Sequence, residues 1–281
     1  MNTPRFRILA LDIDGTLLDR DGVLRPRTIS AVHLAARAGI RPVLCTGRRF
    51  RRALPIAEAL GLDAPLVCNS GALIKQPGDR STLWRADLSD HHSATALALF
   101  REHDEPAVTF LDRGIDEHDF LVAAESTGRP LFDDYVSQNQ EYAGVDPDWL
   151  LRRDLKHFHL CAIGTREAML AFEDAVHERM PDAVQTFVQK SPRYAGTMCE
   201  ILHRDANKWT ALLRLAEAWG VDPSEICAVG DDRNDIPMLR GAGLGVAMGH
   251  AAGEVLAVAD HVTGSDQHDG VATLIETRLC P

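Results

Sequence analysis

Ile8, Leu9, Ala10 and Leu11 form an unbroken apolar run, entered through Arg5 and Arg7, that stops abruptly in Asp12-Ile13-Asp14-Gly15-Thr16. So short a run, apolar at every position, predicts a buried strand. A buried strand cannot hold two carboxylates in its interior, so Asp12 and Asp14 belong at its carboxyl end, where open α/β sheets bind ligands. With one residue between them on an extended chain, their side chains are expected to share a side. Like charges that close need a proton or a cation between them. The fold must therefore bring other groups to this strand end.

The same arrangement recurs along the chain. Arg41 to Cys45 reads as a strand running into Thr46-Gly47-Arg48, and a hydroxyl and a glycine between a strand's end and a helix's start suit a phosphate, because free backbone N–H groups point there. Ile226 to Val229 is a further buried strand that enters Gly230-Asp231-Asp232-Arg233-Asn234-Asp235. Between them, Asn207 reads as the N-cap of a helix Trp209 to Trp219, and Lys208 stands in its first turn, where the helix dipole disfavours a cation unless an anion lies close. Arg48, Arg49, Arg51 and Arg52 open another helix and read as a solvated face.

Smaller signals fill in the frame. Leu17 to Leu24 reads as a hairpin with Asp21-Gly22 at its turn, Pro26 to Ala38 as a helix stopped by Gly39, and Leu66 to Ile74 as strand, turn and strand. A calcium loop starting at Asp12 or Asp19 is excluded, because the glycine required at its sixth position is Leu17 or Leu24. Gly241, Gly243 and Gly245 fail the dinucleotide fingerprint, since Val246 stands where the third glycine belongs.

The segment 82–203 carries none of these strand-end motifs and alternates helices with strands. Ser89 to His103 and Thr165 to Met180 read as helices; Ala107 to Leu111, Leu155 to Ile163 and Val184 to Val188 read as strands. Such a pattern predicts a separate α/β domain inserted into the first. His157 and His159 fall in one of these strands and are expected on one face, toward solvent or a pocket rather than on a metal. Asp112 to Trp149 is acidic and loop-rich and yields no assignment.

A formal net charge of −11 argues against broad binding to nucleic acid or anionic membranes, which takes a basic face. No apolar stretch is long enough to span a bilayer. The six cysteines form no CxxC pair and no zinc-type spacing, and several sit inside apolar runs, which points to a reduced, cytoplasmic setting.

Asp12-Ile13-Asp14-Gly15-Thr16 resembles the DxDGT signature of the haloacid dehalogenase-like (HAD) hydrolases. Thr46, Lys208 and Gly230 to Asp235 resemble that family's second, third and fourth motifs, in the family's order and each at a strand end or helix start. Leu66 to Ile74 and Gly245 to Ala251 are similar to stretches of its Cof-type phosphatases. This chain departs from the pattern at Ser70, at Trp209 in place of the usual glycine, and at His250 in place of asparagine.

The resemblance implies a doubly wound, mostly parallel α/β core over 1–81 and 204–281, with 82–203 as a smaller α/β cap that sets substrate specificity. It implies Asp12 as nucleophile and Asp14 as general acid/base. It implies Mg2+ held by the Asp12 carboxylate, the Asp14 backbone carbonyl and Asp231, with Asp235 orienting a metal-bound water. Thr46, Gly47, Lys208 and Asn234 would hold the phosphoryl group. The expected activity is hydrolysis of small phosphorylated metabolites, sugar phosphates first, through an aspartyl-phosphate. Two other readings use the same residues. A phosphomutase would return the phosphoryl group to the sugar. A non-enzymatic phospho-acceptor similar to receiver domains would keep it, though Asp14 and the inserted segment argue against that.

Overall fold

The four residues of β1 (Ile8–Leu11) are all buried, and they are the axis of the larger sheet. The computed structural model describes residues 5–114, 117–152, 154–190 and 193–281. After β1 the chain forms α1 (Pro26–Arg37), β2 (Arg41–Leu44), α2 (Phe50–Ala59), β3 (Leu66–Cys68), β4 (Leu73–Lys75) and β5 (Thr82–Arg85). It continues through α3 (Asp90–Glu102), β6 (Ala107–Phe110), β7 (Phe120–Val122), α4 (Pro130–Ser137), β8 (Ala143–Val145), β9 (His159–Gly164), α5 (Arg166–Arg179), β10 (Val184–Gln189) and β11 (Thr197–His203). It closes with α6 (Lys208–Ala218), β12 (Ile226–Gly230), α7 (Ile236–Gly241), β13 (Leu244–Ala247), α8 (Gly253–Leu256), β14 (His261–Val262) and α9 (Gly270–Leu274).

Two compact units result, one of residues up to Trp84 together with Asn207–Pro281, the other of Arg85–Ala206. In the first unit the strand order is β14-β13-β12-β1-β2, and every pairing is parallel. Successive crossovers lead from β1 to β2 on one side, and the returning chain enters beside β1 on the other as β12. Strand order reverses at β1, which makes the carboxyl ends of β1 and β12 the place where such sheets open a crevice. Ile8, Ala10, Val43 and Ala228 face one apolar cluster that includes Leu212, Leu215 and Met238 from α6 and α7. Leu9, Leu11, Leu44 and Val229 are equally buried on the opposite face. Both faces are covered, as an all-parallel sheet demands.

β3, β4 and β5 form a small sheet of their own. Thr82, Leu83 and Trp84 of β5 belong to the first unit and Arg85 to the second. The hairpin expected over 17–24 is a loop, closed by a single bridge between Leu18 and Leu24. The Asp19 carboxylate holds it by accepting the N–H groups of Asp21 (3.0 Å) and Val23 (2.9 Å).

The second unit is a six-stranded sheet in the order β10-β11-β9-β6-β7-β8, antiparallel except for β7 with β8. Leu97 and Phe100 of α3 and Met169, Phe172 and Val176 of α5 pack on Leu160, Ala162, Cys199 and Ile201 of one sheet face. Phe100 and Phe172 are the centre of that layer, with ring centroids 5.0 Å apart.

His157 and His159 do not share a face. The strand begins only at His159, so side-chain alternation does not extend to His157. His157 Nδ1 meets Thr109 Oγ1 at 2.8 Å, whereas the His159 ring lies on Phe110 at 4.2 Å, and these neighbours on β6 point to opposite faces. Neither imidazole faces solvent: their exposures are 2% and 1%. Burial pushes the His157 imidazolium down to about 4, from an ordinary 6.5, with the Asp87 carboxylate opposing.

The unfolded chain binds a proton at His157 below pH 6.5 and the native protein only below about 4, so the contribution of this residue to stability falls as pH drops through this window and is level outside it. The full effect is roughly 3 kcal/mol. His157→Asn, which can keep the Thr109 bond and does not titrate, is expected to lose roughly 2 kcal/mol less stability than the parent protein between pH 7 and about pH 4.5. Urea unfolding at the two pH values measures this. Parallel losses would contradict a neutral native imidazole.

Candidate active site

β1 ends at Leu11, but the Asp12 N–H still reaches the Val229 carbonyl at 3.1 Å, so the backbone leaves the sheet only after it. The Asp12 carboxylate turns inward and is 5% exposed. Lys208, first residue of α6, meets it there: Nζ donates to Asp12 Oδ1 at 2.6 Å and to Asp235 Oδ1 at 2.6 Å. α6 starts where it does because Asn207 accepts the Thr210 N–H at 2.9 Å while Thr210 Oγ1 accepts the Asn207 N–H at 3.2 Å, a reciprocal cap. A lysine in that first turn is not a solvated side chain. It is the counter-charge of two acids buried far from it in sequence.

The acids after β12 are held as firmly. Asp235 Oδ2 accepts the N–H groups of Asp231 (3.0 Å) and Asp232 (3.1 Å), closing the turn on itself. A Cβ on Gly230 would fall 2.4 Å from Asp235 Cγ, so only glycine ends this strand. Gly15 serves the facing loop: its φ is +78°, and a Cβ would come within 2.3 Å of Asp231 Oδ2. Thr16 Oγ1 donates to Asp231 Oδ1 at 2.8 Å. Oxygens of Asp12, Asp231 and Asp235 all lie within 4.8 Å of one another.

Charge does not balance in this cluster. Burial pushes the Asp12 carboxyl well above the ordinary carboxylate range; the Lys208 ammonium opposes that rise, and the Asp235, Asp231 and Asp14 carboxylates add to it. Burial also raises Asp231, against the contacts from His250 and Thr16. Burial alone would lower the Lys208 ammonium, yet Asp12 and Asp235 hold it above its usual value. One ammonium against three carboxylates leaves two formal negative charges in a largely buried cluster. An all-oxygen set of this kind fits a hard divalent cation.

Asp14 stands apart from the cluster. Its carboxylate, 33% exposed, takes a bidentate pair from Arg48, with Nε 2.7 Å from Oδ2 and Nη2 2.5 Å from Oδ1. The expectation that Asp12 and Asp14 face the same way rested on an extended chain, and the strand stops before Asp12. The arginines that follow are not a solvated face either. Arg49 is buried, and Arg48, Arg51 and Arg52 are partly so.

The loop after β2 packs between these elements. Thr46 is buried, and its Oγ1 accepts the Arg48 N–H at 3.1 Å; Gly47 beside it is half-buried. The turn Asn69–Gly71 is tied to the same loop, with Asn69 N–H on the Arg48 carbonyl (2.9 Å) and Ser70 N–H on the Thr46 carbonyl (3.1 Å). Asn234 is buried with Oδ1 lacking a hydrogen-bond partner, so its amide oxygen is open to a donor.

Two departures from the family pattern have a local account. The Trp209 ring lies against Gly241, where a Cβ would come 2.2 Å from Cε2, so the indole packs on α7. His250 Nε2 lies 3.6 Å from Asp231 Oδ2 and Nδ1 lies 3.3 Å from Asp266 Oδ1, bridging two acids. Thr16 and Gly15 were visible in the motif but had no role until Asp231 was placed against them.

A family model described as haloacid dehalogenase-like hydrolase matches residues 9–275. The pyridoxal phosphate phosphatase YbhA of Escherichia coli (strain K12) is 28% identical, the match covering 97% of this chain and 98% of that protein. The 5-amino-6-(5-phospho-D-ribitylamino)uracil phosphatase YitU of Bacillus subtilis (strain 168) is 26% identical, with 96% of each chain covered. A solved structure of a phosphatase of the haloalkanoate (HAD) enzyme superfamily from Bacteroides thetaiotaomicron superposes with a TM-score of 0.78 at 26% identity, over 96% of this chain and 94% of that one. With nearly its whole length matched and the acids of its strand ends gathered around one buried lysine, the chain belongs to the haloacid dehalogenase-like hydrolases.

Proposed function

We propose that this hydrolase is a Mg2+-dependent phosphatase of small phosphomonoesters that works through an aspartyl-phosphate on Asp12. The observation that carries the reading is the buried Asp12 carboxylate beside Lys208, with Asp231 and Asp235 completing a cluster short of positive charge. Asp12, Asp231 and the Asp14 backbone carbonyl would hold Mg2+, with Asp235 beside them; the ion supplies the charge that lets an anionic ester approach an anionic nucleophile.

Asp12 attacks phosphorus, the bond to the leaving oxygen breaks, and Asp14 gives that oxygen its proton. A water then attacks the phosphorus of the acyl phosphate and passes a proton to Asp14, freeing inorganic phosphate and restoring Asp12. Thr46, Gly47, Lys208 and Asn234 hold the equatorial oxygens as charge spreads over them. The inserted unit Arg85–Ala206 supplies specificity, because the core residues recognise only phosphate. Relatives named for pyridoxal phosphate and for a phosphorylated ribitylaminouracil support a small metabolite as substrate, with sugar phosphates the first class to assay. Buried, unpaired Cys45, Cys68, Cys161, Cys199 and Cys227 suit a reducing cytoplasm.

Phosphate release from a panel of sugar phosphates, pyridoxal phosphate and an aryl phosphate, with and without Mg2+, tests the reading. Asp12→Asn is expected to abolish release. Asp14→Asn is expected to slow it by about 100-fold or more and to leave a phosphorylated protein visible by intact mass. Ordinary rates in either variant would remove the assignment.

Binding of the ion has a readout that does not depend on turnover. Mg2+ at about 100 times its dissociation constant should stabilise the native protein by about 2.7 kcal/mol, seen as a rise in melting temperature. Asp231→Asn is expected to lose that rise. An unchanged response in the variant would place the ion elsewhere.

A further inference from the structure

The Asp14 carboxylate is the one acid of the opening motif that the buried lysine does not reach. Among the described residues its hydrogen bonds all come from one side chain, the Arg48 guanidinium. Gly15, with φ +78°, follows it directly, and the carboxylate is one-third exposed, so packing does little to fix its rotamer. Arg48 is the opposite case. Its side chain is 12% exposed, its N–H is tied to Thr46 Oγ1, and its carbonyl accepts the Asn69 N–H. A rigid fork thus grips a loosely packed carboxylate by both oxygens, and the two residues are 34 positions apart.

We propose that Arg48 is a positioning residue for Asp14, its bidentate fork fixing the carboxylate in the orientation from which it serves the leaving group. The inference rests on the acid/base role given to Asp14 above. An arginine holds a carboxylate in one plane through two parallel bonds, whereas a lysine offers a point charge and leaves rotation free. Proton transfer depends steeply on heavy-atom placement, so loss of the fork costs rate at the step that needs the proton. The remaining carboxylate oxygen lone pairs stay open to the leaving group, since the fork uses one on each oxygen.

The test separates positioning from phosphate binding and from simple structural support. The kinetic constant kcat/KM covers the steps up to formation of the aspartyl-phosphate. An alkyl phosphate needs its leaving oxygen protonated in that step, while p-nitrophenyl phosphate, with a stable phenolate, does not. Arg48→Met is expected to lower kcat/KM by about 100-fold for an alkyl phosphate and by less than about 10-fold for the aryl ester. Arg48→Lys should fall short of full rescue. Combined with Asp14→Asn, Arg48→Met should add no more than about 3-fold on the alkyl ester, because the group it positions is already gone.

Equal losses on the two esters, or full additivity with Asp14→Asn, would overturn the proposal in favour of direct phosphate contact. Equal losses accompanied by a lower melting temperature would overturn it in favour of folding support. A parent protein inert toward both esters would instead sink the phosphatase reading itself, so the two failures are distinguishable.

Discussion

A buried ammonium bridging two buried carboxylates is the constraint around which the first unit is arranged. Lys208, Asp12 and Asp235 are each at most 5% exposed, and removing three charges from water is costly unless each finds its partners. Nζ has them at 2.6 Å on both sides, and Asp235 completes its own set with two backbone N–H groups. Replacing such a cluster by well-packed apolar side chains would be as stable or more so. Its presence is therefore a statement about chemistry rather than about folding. It also couples three places in the sequence: the end of β1, the start of α6 and the turn after β12 can be native only together.

Close backbone approach is the second requirement, and it explains where the chain accepts unusual conformations. Asn69 and Ser70 have φ of 50° and 54°, values that cost a non-glycine residue about 1 kcal/mol or more. The strain is local to a turn whose N–H groups fasten the Thr46 loop. A Cβ on Gly71 would strike the Asn207 backbone at 2.1 Å, so this turn also lies directly against the start of α6. The site is thus enclosed by main chain on the side of the Thr46 loop and by carboxylates on the other. Its rigidity follows from contacts that tolerate no added methyl group.

The strand ends were legible because each announces itself locally. Ile8 to Leu11, Arg41 to Cys45 and Ile226 to Val229 are apolar runs closed by residues that cannot enter a core, and Asn207 reads as an N-cap. What failed to show was pairing at a distance. Arg48 looks like one of four surface arginines until Asp14 is set opposite it. Lys208 looks misplaced for its helix until Asp12 is found 196 residues away. In the second unit β7 and β8 are three residues each, too short to display a period, and β11 is interrupted by Glu200, a charge that hydropathy places outside a core. Glu200 is 2% exposed, with Oε1 3.5 Å from His159 Nε2 on the adjacent strand, a neighbour that the local pattern does not announce.

On the proposed reading, the strand-end site discriminates little among phosphomonoesters. Relatives matched over nearly the whole chain at 26% to 28% identity are named for esters as unlike as pyridoxal phosphate and a phosphorylated ribitylaminouracil. If this chain has the proposed activity, a frame shared with both relatives would stop its recognition at the phosphoryl group. On the proposed reading Asp12, Lys208, Thr46 and Asn234 serve the phosphoryl group and carry no information about what is attached to it. On that reading Asp14 serves the leaving oxygen, and an oxygen is common to every phosphomonoester. Selectivity among esters must therefore come from residues whose position is independent of the strand-end cluster. That is why the sequence of the first unit speaks clearly of a reaction and is silent about its substrate.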